Sequence, residues 1–322
     1  MESSVRETAS PQLDPQARAL LDLLVERGIP PIHTQGVPEA RAAYRERRAL
    51  TQPDPPQVGA VFDESLSHEG ATIGLRIYRP TNSDGLLPAL VYYPGGGWTI
   101  GDLETHDTLC RSLCAQAGIG VVSVDYRLGP EHRFPRAWED ALAAFDHAIA
   151  SATRWGFDAS RTAVGGDSSG GNLAAAVALA RRDAAVPPAF QLLIYPATTM
   201  RTKAPSHHAF AQGYLLTHDD MLWFIGNYMG PDSDLDDPRA SPLMANDHAG
   251  AAPALVLTAG FDPLVDDGRA YADTLSAAGV PTQYVCFARQ LHGFITMGRV
   301  IDEANTAVTL CASALRAALN RG

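Results

Sequence analysis

The chain has little lysine, little cysteine and no basic surplus. Its only lysine is Lys203, and 25 Lys and Arg stand against 36 Asp and Glu, for a net charge of −11 over 322 residues. A surface of that sign argues against nucleic acid as a partner. No run approaches the ~18 apolar residues of a membrane span. Met1 to Ser10 contains no apolar core of the secretory type, so the expectation is a cytoplasmic protein. The cysteines are Cys110, Cys114, Cys286 and Cys311. Cys110 and Cys114 stand one helical turn apart in an expected helix, poor metal geometry without further His or Cys partners, and none of the four has an evident thiolate-stabilising partner. All read as small buried hydrophobes, so no metal is implied. Internal repeats and low-complexity tracts are also missing.

What is present is alternation. Residues 15–27 and 38–50 read as two helices that precede any strand, with Thr51 to Pro56 as a connector. Val58–Leu66 and Ala71–Tyr78 read as an antiparallel hairpin turning at His68-Glu-Gly70. Residues 82–85 read as a loop. Apolar strand runs then trade places with helical stretches: Ala89–Tyr93, helix 102–117, Gly120–Asp125, helix 135–153, Thr162–Gly165, helix 173–182 and Phe190–Tyr195. Residues 200–245 break the rhythm, with one helix at 219–228. It resumes as Ala254–Thr258, helix 266–278, Thr282–Phe287 and a helix near 305–319. Such alternation predicts an α/β fold, a mostly parallel mixed sheet with helices on both faces. Ligands on these sheets bind beyond the carboxyl ends of the strands, so loops after strands hold the candidates.

One such loop is Gly166-Asp-Ser-Ser-Gly170, between a strand and a helix. It fits the G-x-S-x-G turn that exposes a strained serine, here Ser168, at the sheet edge. A serine hydroxyl needs a base, and the base needs an acid to orient it. Asp262 follows the next strand, with Pro263 forcing a turn. Asp266 is the alternative acid, but Asp266 and Asp267 read as caps of the following helix. His292 follows the last strand beside Gly293. His132 also follows a strand, but it precedes Ser168 and so breaks the expected order of nucleophile, acid and base. His207, His208, His218 and His248 lie in the irregular stretch and read as surface or satisfied residues. Oxyanion donors are expected from the amides of Gly96 and Gly97, after the third strand, and from that of Ser169. Trp98, Phe210, Tyr214, Trp223 and Phe224 are candidates for an acyl groove. Asp167 and the stretch from Asp125-Tyr126-Arg127 to Glu131-His132 read as structural ties.

Taken together, Pro94-Gly-Gly-Gly-Trp98, Asp125-Tyr-Arg-Leu-Gly-Pro-Glu-His132, Gly166-Asp-Ser-Ser-Gly-Gly-Asn172, Tyr195-Pro196, Asp262-Pro-Leu264 and His292-Gly-Phe294 carry a resemblance. The chain resembles the hormone-sensitive-lipase-like α/β-hydrolases, the bacterial family IV carboxylesterases, from about residue 55 onward. The resemblance implies an eight-stranded α/β-hydrolase sheet across 51–199 and 246–322. It implies a helical cap from 1–50 and 200–245. It implies a Ser168–His292–Asp262 triad with an oxyanion hole at Gly96, Gly97 and Ser169. The implied activity is hydrolysis of short- to medium-chain acyl esters, without a cofactor, on small-molecule substrates. An amidase or lactonase with the same triad is the alternative, as is a ligand-binding receptor that has lost catalysis. A homodimer through the last strand and helix is a further expectation from the family. One position departs: the family has His at the head of its His-Gly-Gly-Gly motif, and this chain has Pro94. That leaves open the path of the loop leading to the oxyanion hole.

Overall fold

The apolar run Leu87–Tyr93 forms β3, buried at every position. Only a strand covered on both faces tolerates seven such residues. A computed structural model describes residues 12–81 and 85–320. The stretch 1–10 and the first three residues of the 82–85 loop lie outside that range.

β1 (Ala60–His68) and β2 (Ala71–Arg79) form the expected antiparallel hairpin. α3 (Leu103–Ala117), β4 (Gly120–Asp125), α4 (Arg136–Trp155), β5 (Phe157–Asp167), α5 (Ser169–Ala180) and β6 (Gln191–Ile194) follow β3. α6 (Pro205–Ala209) and α7 (His218–Tyr228) occupy the irregular stretch. β7 (Ala254–Phe261), α8 (Val265–Ala277), β8 (Thr282–Leu291) and α9 (Asp302–Leu319) complete the order. The eight-stranded sheet runs β1-β2-β4-β3-β5-β6-β7-β8, antiparallel at β1/β2 and β2/β4 and parallel elsewhere.

Alternate residues of each buried strand feed opposite cores. Val91 and Tyr93 join α4, α5 and α8 on one face. Leu90 and Tyr92 join α3 and α9 on the other. Each fully buried Leu or Val contributes about 1.5–3 kcal/mol, so this double cover is what holds the strand ends rigid.

The two N-terminal helices behave differently. α1 (Pro15–Glu26) starts at Asp14, whose carboxylate accepts from the amides of Gln16 and Ala17. It packs beside α9: Gln16 exchanges hydrogen bonds with Asp302, and Ala17, Leu20 and Leu21 enter that core. α2 (Val37–Thr51) instead lies over α3 and the loop after β3. Arg48 and Gln52 donate to the Thr105 carbonyl, and Arg41 Nε donates to Thr99 O at 2.8 Å.

Several boundaries differ from expectation. β8 continues through Leu291, because Gln290 is buried and donates to Glu303 rather than looping into solvent. α5 begins at Ser169 despite the poor helix propensity of Gly170-Gly171. Pro135 precedes α4 as its N-cap rather than lying inside the first turn. Cys286 is exposed on β8, unlike Cys110, Cys114 and Cys311, because the outer strand leaves alternate side chains uncovered.

Candidate active site

β5 delivers Ser168 at its carboxyl end. The residue has φ 56° and ψ −119°, a strained conformation for a side chain with a Cβ. The sharp turn depends on its glycines. A Cβ on Gly166 would strike the Gly170 backbone, and one on Gly170 would strike the Tyr93 carbonyl.

β7 ends at Phe261, so Asp262 is the first residue past the strand. It is fully buried, and its Oδ1 accepts from the Leu264 amide at 2.8 Å. β8 ends one residue before His292. His292 Nδ1 lies 2.7 Å from Asp262 Oδ2, and its Nε2 lies 2.9 Å from Ser168 Oγ. The Tyr195 ring lies 4.7 Å from the imidazole and limits its rotation. Three residues far apart in sequence thus form one hydrogen-bonded line from hydroxyl to buried carboxylate. This is the arrangement that turns a weak hydroxyl into a nucleophile.

Asp266 and Asp267 do not cap α8, whose first turn contains them. Asp266 accepts from the Ser206 amide, and Asp267 meets His207 Nε2 at 2.9 Å. Their carboxylates therefore tie α6 to α8 and leave Asp262 alone beside His292. Burial lifts Asp267 to about 6, against the opposing pull of His207. For His207, burial works downward, but the hydrogen bond and charge of Asp267 outweigh it and raise the imidazole. His248 is also satisfied, at 2.9 Å from the Pro242 carbonyl.

The loop after β3 carries positive φ at Gly96 (129°), Gly97 (58°) and Trp98 (54°). Gly97 also lies against Phe224, where a Cβ would collide. Trp98 is held by stacking on Tyr228 at 4.5 Å and 7°. The loop is braced without any side chain at position 94. The Pro94 carbonyl accepts from Tyr126 Oη at 2.5 Å. The Gly95 amide donates to Asp167 Oδ1 at 2.9 Å, and Tyr92 Oη donates to the same oxygen at 2.7 Å. His106 Nε2 lies 3.1 Å from Oδ1 and 3.3 Å from Oδ2. Burial pushes the Asp167 carboxyl upward, but His106, Arg48 and Tyr92 outweigh it and hold it well below the usual carboxylate range. Burial and the charge of Arg48 lower His106, against the opposing pull of Asp167. The cis peptides precede Pro130 and Pro135, not Pro94.

The sequence pattern of the α/β-hydrolase fold family matches residues 90–296. Carboxylic ester hydrolase LipN of Mycobacterium tuberculosis is 44% identical over 290 residues, 87% of this chain and 77% of that protein. Ethyl acetate hydrolase of Pseudomonas putida is 40% identical over 314 residues, 94% of this chain and 98% of its own length. The chain belongs to the hormone-sensitive-lipase-like α/β-hydrolases. A crystal structure of LAE6, an α/β-hydrolase from the metagenome of Lake Arreo, superposes with TM-score 0.92 at 45% identity, covering 95% of this chain and 98% of that one. A thermostable esterase from Pseudomonas putida also superposes at 0.92, at 34% identity, covering 98% of this chain and all 100% of the other. This α/β-hydrolase is therefore an enzyme, a carboxylic ester hydrolase acting on small molecules. Among its described residues no helix is long and apolar enough to cross a membrane.

In this hydrolase a cavity of ≈ 110 Å³ opens over Ser168 and is lined by Gly96, Gly97, Ser169, His292, Trp98 and Phe224. Phe210, Tyr214 and Trp223 are not among its lining residues. Phe210 and Tyr214 pack on Phe261, and Trp223 sits edge-on to Phe224, one position round α7 and turned from the cavity. The wall instead takes Leu215, Leu216, Met221 and Ile225 from the same stretch, and Ile32, Tyr44 and Arg47 from the N-terminal one. Sequence reading missed these. Their only signal was the spacing of Tyr44 and Arg47, which puts both on one face of α2.

Proposed function

We propose that Ser168 is the nucleophile, His292 the general base and Asp262 its orienting acid, in hydrolysis of short- to medium-chain acyl esters. The observation that carries this reading is the line Ser168 Oγ–His292–Asp262, at 2.9 and 2.7 Å. His292 takes the Ser168 proton as Oγ attacks the ester carbonyl. The amides of Gly96, Gly97 and Ser169 receive the oxyanion. His292 then protonates the leaving alcohol, and a water repeats the sequence on the acyl-enzyme. Asp262 holds the imidazole with Nδ1–H toward the carboxylate, so that Nε2 is free to accept. A cavity of ≈ 110 Å³ over Ser168 suits a small ester.

Residues 1–50 and 200–245 are read as a cap over this site. The contact between His33 Nδ1 and Asp220, at 2.7 Å, supports that reading by joining the two segments. α1 is the part that lies apart from the cavity. A homodimer through β8 and α9 belongs to the same reading. It is supported by the position of β8 at the sheet edge, and light scattering tests it.

The catalytic assignment is tested with p-nitrophenyl esters of graded chain length, run beside matched amides and lactones, on wild type and Ser168→Ala. Ester turnover in the wild type that disappears in Ser168→Ala is expected. Full activity in Ser168→Ala would overturn the assignment, and preference for amides or lactones would redirect it.

A further inference from the structure

α2 carries a patch of four arginines, and three of them have oxygen partners. Arg41 pairs with Glu131 and donates to the Thr99 and Gly129 carbonyls. Arg45 pairs with Asp102, and Arg48 donates to the Thr105 carbonyl. Arg47 differs. Its guanidinium has no hydrogen bond and no ion pair among the described residues, and its Nε is buried without a partner. It lies over the Tyr44 ring, 5.3 Å from the centroid. Both side chains line the cavity that holds Ser168 and His292.

A buried guanidinium Nε with no acceptor is costly, because its desolvation is not offset by a hydrogen bond. Burial, with the charge of Arg48, lowers the pKa of Arg47 from its ordinary value, against the opposing pull of Tyr44 and Asp220. Of the two carboxylates that line the cavity, Asp167 is held by Tyr92, Gly95 and His106, and Asp220 is also engaged. Its Oδ1 accepts from the His33 amide at 3.2 Å and meets the His33 ring at 2.7 Å, while Oδ2 accepts from the Thr217 amide at 3.0 Å. Ile32, Leu215, Met221 and Phe224 make the lining mostly apolar, and Arg48 in the same lining is engaged by the Thr105 carbonyl. A purely aliphatic ester would leave the guanidinium unmatched. A carboxylate on the substrate would give it a planar, bidentate partner.

We infer that Arg47 is a specificity residue that recognises a carboxylate carried by the substrate, so that the preferred esters are half-esters of diacids or esters of hydroxy acids. The inference rests on the ester-hydrolase reading of the same site. The carboxylate reaches Arg47 from either the acyl or the alcohol part, and two substrate pairs distinguish these sources. The acyl pair is p-nitrophenyl valerate against the mono-p-nitrophenyl ester of glutarate, in which a carboxylate replaces the terminal methyl. The alcohol pair is butyl butyrate against the butyrate ester of γ-hydroxybutyrate, followed by pH-stat.

The readout is the ratio of kcat/KM for the charged over the neutral ester, in wild type, Arg47→Met and Arg47→Lys. The neutral ester serves as an internal control for folding. In one pair the ratio falls about tenfold or more in Arg47→Met, as loss of a charge-assisted hydrogen bond requires, with the change mainly in KM. Arg47→Lys lies between, because it keeps the charge and loses the fork. A ratio that shifts by less than about threefold in both pairs overturns the inference. So does a wild type that cleaves the neutral esters and ignores both charged ones. A wild type inactive on all of these esters overturns the ester-hydrolase reading itself, and the inference with it.

Discussion

Replacing Asp167 tests how the loop proposed to carry the oxyanion donors is held in a chain with proline at position 94. The carboxylate is buried and gathers Tyr92 Oη, the Gly95 amide and His106 Nε2. Asp167→Ala leaves three buried donors without acceptors, and each such orphan costs about 1–3 kcal/mol. Water entering the vacated space recovers part of this, so the expected loss is about 3–4 kcal/mol, near the lower bound of the sum. For a chain of this size, with an unfolding entropy of about 2.1 cal/mol/K per residue, that lowers Tm by about 5 °C. Freed from Asp167, Gly95 no longer fixes Gly96 and Gly97. Misplacing one oxyanion donor costs about 10²–10³ in kcat, so kcat should fall by that order with KM little changed. Asp167→Asn keeps an oxygen for Tyr92 and Gly95 and turns its amide toward His106, whose other tautomer can accept. It should stay within about tenfold of wild type in kcat. The pH dependence has a definite sign. Asp167 is held below its ordinary value in the fold, so its contribution is complete above ~3.9 and is lost as the pH falls below that. Thermal melts and steady-state kinetics on both variants check the argument. An Asp167→Ala protein with wild-type Tm and kcat would refute it.

Two other outcomes follow from the geometry. Ser168→Gly relieves the backbone at φ 56°, so it should abolish activity yet raise stability by about 1 kcal/mol in urea unfolding; a less stable variant would contradict the strain argument. The His207–Asp267 pair stabilises the join of α6 to α8, with His207 raised in the fold by Asp267 and Asp267 lifted to about 6 by burial. Groups raised in this way stabilise at low pH and lose that contribution as the pH rises through the folded values. The Tm difference between wild type and His207→Gln should therefore be larger near about pH 6 than near about pH 9, and a constant difference would refute the assignment.

The parallel sheet was readable because strands covered on both faces leave unbroken apolar runs. β4 is such a run, and its observed ends, Gly120 and Asp125, are those expected from the sequence. Where tertiary contacts override local preference, the pattern misled. Gly170 and Gly171 look unsuited to a helix, yet they open α5 because only glycine fits against the Tyr93 carbonyl and Pro196. Arg289 and Gln290 look like loop residues, yet they extend β8. Ser168, Asp262 and His292 were legible because each follows a strand in a fixed order. The cavity wall was not legible: Arg47 becomes distinctive only because it shares the lining with Met221, Phe224 and Ile225 of α7, from a segment far away in sequence. The bracing of the oxyanion loop was hidden for the same reason. Its atoms are the Pro94 carbonyl and the Gly95 amide, which no side-chain motif encodes, and they meet Tyr126, just past β4, and Asp167, at the end of β5.

The central claim is that Ser168 is the activated nucleophile. Labelling with a p-nitrophenyl alkylphosphonate, followed by peptide mass mapping, tests it most directly. The account predicts a single covalent adduct per chain, on the peptide containing Ser168, formed as activity is lost and absent from Ser168→Ala. An adduct on another residue, or labelling of Ser168→Ala at the wild-type rate, would contradict it.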